Sequence, residues 1–162
     1  MTTIIDGSAG ITFPNSTVQA SAGQVLQVVQ GTFSTAITTS SSTFSDTGLT
    51  ASITPKFSNS KVLVLVSLST PEKNSNNTYI RSQIVRNSTS VCYMTDIGQY
   101  TGNSNTSVGS SLSMNYLDSP ATTSATTYKV QYASVSNNAA VAFNTTFGTP
   151  VVSTITLMEV AG

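Results

Sequence analysis

Histidine and tryptophan are absent from this 162-residue chain, cysteine occurs once, and only six acidic and six basic residues are present. Each shortage excludes a class of chemistry. Without histidine the commonest general base and transition-metal ligand is missing. Serine and threonine hydroxyls become nucleophiles only beside an activating base. Cys92 has no second cysteine to pair with and reads as a small buried hydrophobe between Val91 and Tyr93. The acids Asp6, Asp46, Glu72, Asp96, Asp118 and Glu159 are spread singly, mostly beside turn residues, where carboxylates cap backbone groups. Their spacing matches neither a calcium loop nor a glycosidase pair. The expectation is a protein that is not an enzyme and has no catalytic, metal-binding or cofactor-binding residues.

Charge and hydropathy narrow the partners. Six scattered bases and a formal net charge of zero give no field for phosphates, so no nucleic acid is expected. The longest apolar run, Val62 to Val66, is strand-sized, and no segment is long enough to span a membrane by helix. Met1 to Asp6 shows neither the basic nor the apolar region of a secretory leader. Near-absence of charge also removes the repulsion that keeps copies of a protein apart, so self-association is expected.

What the chain does have is about one third serine and threonine, with Val, Ile and Tyr between them. These residues cover pleated sheets, and Asn, Ser, Gly and Pro supply the turns. Gln24 to Phe33 reads as a long strand, with Val25 and Val29 on one face. Leu49, Ala51 and Ile53 alternate with polar residues until Pro55, the pattern of a half-buried antiparallel strand. Lys61 to Ser69 is apolar on both faces and belongs at a sheet centre. Tyr79 to Val85 and Ser90 to Met94 flank Asn87-Ser88 as a hairpin, with Ile80 and Ile84 inward and Arg81 and Gln83 outward. Further strands are expected at Leu112–Leu117, Thr126–Ser134, Ala139–Thr145 and Thr154–Val160. No helical pattern survives. Eight or nine strands predict an all-β, antiparallel, jelly-roll-like β-sandwich over residues 24–162.

Residues 1–23 differ. Gly7, Gly10, Pro14 and Gly23 interrupt short apolar pieces, which predicts an extended N-terminal arm. Ile4, Ile5, Ile11, Phe13 and Val18 cannot form a core of their own and are candidate contacts with a partner surface. The loops hold the other candidates: Tyr93 and Tyr100 with Gln99, Asn103 and Asn105 on one side, and Tyr79 near Asn74, Asn76 and Asn77 on the other. Flat rings beside amides suit a sugar or protein ligand.

Seven stretches, in three groups, carry a family resemblance. Asp6-Gly7-Ser8-Ala9-Gly10-Ile11-Thr12-Phe13-Pro14-Asn15-Ser16-Thr17-Val18-Gln19 resembles the short repeat linking domains in tail-fibre proteins of tailed bacteriophages, including those that infect cyanobacteria. Val25 to Gln30, Asp46 to Pro55 and Ser60 to Val64 are similar to the β-sandwich module following that repeat. Asp118-Ser119-Pro120, Thr127-Tyr128-Lys129 and the ending Ser153 to Val160 complete the likeness. In fibres and tailspikes this module is a tip on a long trimeric shaft, whereas here one arm precedes one module. The resemblance therefore implies a structural protein of the virion surface. One form is a homotrimeric capsid decoration, or cement, protein, its arm interlocking subunits or gripping the major capsid protein while the sandwich projects outward. The alternative is the receptor-binding tip of a tail fibre, recognising a host surface glycan through Tyr79, Tyr93, Tyr100, Asn103 and Asn105.

Overall fold

The computed structural model describes residues 4–6, 10–12, 18–19, 24–96, 99–100, 102–103, 107–135, 141–144 and 151–162, with residues 4–6, 10–12, 18–19, 95–96 and 141–143 described by backbone alone. Eight strands build the sandwich: β4 (Val25–Phe33), β6 (Ser45–Ile53), β7 (Lys61–Leu68), β9 (Tyr79–Arg86), β10 (Thr89–Asp96), β12 (Leu112–Asp118), β13 (Thr126–Val135) and β15 (Ser153–Val160). They form two antiparallel sheets in the orders β12-β7-β15-β4 and β10-β9-β13-β6. Numbering these eight strands one to eight gives 6-3-8-1 and 5-4-7-2, the strand order of a jelly roll.

Period-two alternation sets the inner layer. Thr47, Leu49, Ala51 and Ile53 of β6 are buried, as are Val62, Val64, Val66 and Leu68 of β7 and Ile155 and Leu157 of β15. Tyr128, Val130 and Tyr132 of β13, with Ile80 and Ile84 of β9, fill the space between the sheets. Full burial of each aliphatic side chain contributes about 1.5–3 kcal/mol. The sheets converge where β4 meets β6. A Cβ on Gly31 would lie 2.0 Å from the Thr50 carbonyl oxygen, and Gly48, at φ 90°, faces the Phe33 ring. Any larger residue at Gly31 would push the two strands apart.

Four short strands cap one end of the sandwich: β5 (Ile37–Thr39), β8 (Glu72–Lys73), β11 (Val108–Gly109) and β14 (Val141–Phe143), ordered β11-β8-β14-β5. Only the β14 region was legible as a strand; of the expected Ala139–Thr145, residues 139, 140 and 145 lie outside the described residues. At the opposite end, the β9–β10 hairpin turns through Asn87 at φ 53°. Its backbone N–H donates to the Thr127 carbonyl, and its side-chain oxygen accepts from the Thr127 N–H.

The first 23 residues contain β1 (Ile4–Asp6), β2 (Gly10–Thr12) and β3 (Val18–Gln19), paired antiparallel as β1-β2-β3 with Ile5 opposite Ile11 and Thr12 opposite Val18. The described pieces of the arm are thus extended strands paired with one another. Gly10 opens β2, while Gly7, Pro14 and Gly23 lie outside the described residues.

Two strand readings are corrected. A bulge between Glu159 and Val160 breaks the parity of β4, so Val25 turns outward at 51 % exposure while Val29 packs on the core. Strand β7 is interior to its sheet, yet only its even-numbered side is buried; Leu65 is 38 % exposed. Its outer neighbours form rows running across all four strands: Ser113–Ser67–Thr154–Thr32, then Asn115–Leu65–Thr156–Gln30, then Leu117–Leu63–Met158–Val28.

Candidate ligand-binding face

The outer face of the β10-β9-β13-β6 sheet is polar in a different way. Tyr93, Gln83, Gln131 and Asp46 occupy one row, each on its own strand. Ser90 Oγ donates to Gln83 Oε1 at 2.8 Å, Gln83 Nε2 to Gln131 Oε1 at 2.7 Å, and Gln131 Nε2 to Asp46 Oδ1 at 2.7 Å. Lys129 Nζ closes the series on Asp46 Oδ2 at 2.9 Å. The Lys129 ammonium, with Gln131, outweighs partial burial and holds the Asp46 carboxyl below its ordinary value.

The β5–β6 loop folds over part of this face. The Ser41 carbonyl accepts from the Ser134 N–H, and the Ser42 carbonyl from Arg81 Nη2 at 3.2 Å. Phe44 is thereby set 5.6 Å above the Arg81 guanidinium and edge-on to the Tyr93 ring at 5.9 Å. Tyr93 itself is 52 % exposed.

A second cluster sits at the capped end. Tyr79 and Tyr100 meet edge to face at 6.0 Å. Tyr100 Oη donates to Asn77 Oδ1 at 3.0 Å, and Asn77 Nδ2 donates to Asn103 Oδ1 at 2.9 Å. The structure therefore brings Tyr79, Tyr100 and Asn103 together across what the sequence suggested were two separate sides, and it places Tyr93 apart with Phe44. Asn105 and Phe13 lie outside the described residues, and only backbone is described at Ile4, Ile5, Ile11 and Val18. Gln99 is no surface contact: it is buried, donating to the Pro71 carbonyl at 2.6 Å and to Ser110 Oγ at 2.9 Å. Beside Ser110 runs an open groove of about 520 Å³ lined by Ser69, Thr70, Glu72, Ser107, Ser110 and Ser111 among others.

Two acids expected beside turns are instead buried in strands at the uncapped end. Asp118 is 4 % exposed; it accepts from Arg86 Nη1 at 2.8 and 2.9 Å and from Tyr128 Oη at 2.6 Å. Burial and the Asp118 carboxylate push the Tyr128 phenol far up, so it stays protonated and donating. Glu159 lies in the same inner row, with Val62 of β7 between the two. Burial alone would raise its carboxyl, but hydrogen bonds from Gln27 and the Lys56 N–H outweigh that and hold it lower. Two strand spacings, roughly 10 Å, separate the acids, and each has its own partners. Cys92 is half-buried on the core edge, where burial raises its thiol. Among the described residues no cluster of three potential metal ligands occurs, and no helix is long and apolar enough to cross a membrane.

Sequence reasoning missed Phe44 and the Gln83–Gln131–Asp46 series. Alternation already turned Gln83 and Gln131 outward, but which strands adjoin depends on the jelly-roll order. Fold and face together define an antiparallel jelly-roll domain with an aromatic and amide surface. No protein-family model matches the chain, and no curated protein matches it significantly.

Proposed function

We propose that this chain is a structural virion protein, a homotrimeric capsid decoration protein that binds the major capsid protein at the outer shell and stabilises it. The observation that carries this reading is the polarity of the molecule. Residues 1–23 join β4 at Gln24, at the uncapped end, whereas the Tyr79–Tyr100–Asn77–Asn103 cluster lies at the capped end. An eight-residue strand, roughly 26 Å, separates them. Such a molecule can be held by one end and present the other. The phage resemblance and the jelly-roll architecture, recurrent among capsid and lectin domains, support the reading; fold alone does not assign function.

A second reading, the receptor-binding tip of a tail fibre, is favoured by that same capped-end cluster, whose rings and amides suit a host surface glycan. Quantifying the protein in purified virions separates the two. Hundreds of copies per particle are expected for decoration, and a few dozen or fewer for a tail component. Deleting residues 1–20 is expected to abolish particle binding, and undiminished occupancy would overturn the decoration reading.

A further inference from the structure

The outer face of the β12-β7-β15-β4 sheet carries an apolar row, Leu117–Leu63–Met158–Val28, with one residue on every strand. Val28 is 56 % and Leu117 50 % exposed, at opposite edges of the sheet. The rows on one side of it carry hydroxyl and amide residues with the half-exposed Leu65 among them, and on the other Val160 pairs with Lys61 and Val25, so Lys61 is the only charge across these rows. Isolated exposed hydrophobes are ordinary, but a row across a whole sheet marks an interaction site. We propose that this face is where a second copy of this chain packs, sheet against neighbouring subunit. The inference rests on the self-association in the proposed function and names the surface responsible for it.

Three observations select a second copy as the occupant. A nearly uncharged face has nothing to offer phosphates or anionic headgroups, while a neutral chain meets its own copies without repulsion. Four strands of seven residues present roughly 19 by 23 Å, or about 440 Å², about half of the ~800 Å² that each partner brings to a standard interface. Residues 1–23 enter β4 at Gln24, beside Val25 on the rim of the row, so an arm of 23 residues is placed to supply the remainder.

The test is the mass of the full chain in solution by light scattering over a range of concentrations. The wild type is expected to be oligomeric, and V28E/L117E is expected to weaken association at least ~100-fold, because each charge would be desolvated at the contact. Ser52→Glu, on the outer face of the other sheet, is expected to leave the mass unchanged. Should V28E/L117E fail to fold, V28T/L117T, which places a β-branched, sheet-compatible side chain at each position, is expected to weaken association more modestly at an unchanged melting temperature. A monomeric wild type overturns the inference, as does a folded variant pair that keeps the wild-type mass. Virion copy number is read separately: an oligomer that dissociates on V28E/L117E but is absent from particles overturns the virion reading and leaves this face standing.

Discussion

The two outward faces of the sandwich follow the same alternation yet differ in chemistry. On β12-β7-β15-β4 the rows grade from hydroxyls to Leu117–Leu63–Met158–Val28, and no side-chain network crosses them from edge to edge. On β10-β9-β13-β6 a series of hydrogen bonds runs from Ser90 through Gln83 and Gln131 to Asp46 and Lys129, with Phe44 and Tyr93 meeting edge-on beside it. A polar network satisfies its own members and keeps water as its other neighbour. An apolar row gains only when something displaces the water above it. The difference teaches that the sheet least engaged with itself is the better prepared for a partner.

The comparison assumes that both faces hang on a shared interior, and Asp118→Ala should show it most forcefully. Removing this carboxylate leaves Arg86 and the buried Tyr128 hydroxyl without their partner, which is expected to cost about 3–5 kcal/mol and to disrupt both faces in one cooperative denaturant transition. Survival of one face's signal beyond the other's would break the comparison. Gly31→Ala comes next. Its Cβ would collide with the Thr50 carbonyl, and an expected loss of about 2–3 kcal/mol, followed by thermal melting, would fall where the two sheets converge.

Glu159 gives a smaller, pH-dependent effect. Its folded carboxyl lies below the ordinary value of 4.5. The stabilisation is therefore fully present above that pH and is lost as pH falls through the lower folded value. Chemical denaturation at pH 7 and at pH 3 should show the wild type losing more stability than Glu159→Gln across that interval; equal losses would detach Glu159 from the acid response. The smallest effect is expected for Asp46→Asn. Its ion pair with Lys129 is largely exposed, so its removal should cost less than about 1 kcal/mol. A larger loss in the same denaturation assay would mean that the polar face is structural, and the contrast with the apolar face would sharpen accordingly.

Much of the fold was legible because alternation is a local property. Leu49-x-Ala51-x-Ile53, Ile80 and Ile84 inward, and the Asn87-Ser88 hairpin all follow from residue type and spacing. The short strands β5, β8 and β11 were not, since two or three residues carry no period. The outward turn of Val25 was hidden by the bulge at Glu159 and Val160, which depends on a partner 135 positions away. The candidate site was half visible. Tyr79, Tyr93, Tyr100 and Asn103 were identifiable as candidate aromatic and amide contacts, but their grouping was not.

The sequence by itself determined that this chain forms sheets: hydroxyl and β-branched residues alternate, and scarce charge leaves the strands free to associate. Only the tertiary structure decided which outer residues share a row. The order 6-3-8-1 and 5-4-7-2 sets Leu117 in line with Val28, and Gln83 in line with Asp46, through strands far apart in the chain. Alternation fixes the face a side chain points to, whereas strand order and register fix its neighbours, and those depend on long-range pairing that no local spacing records.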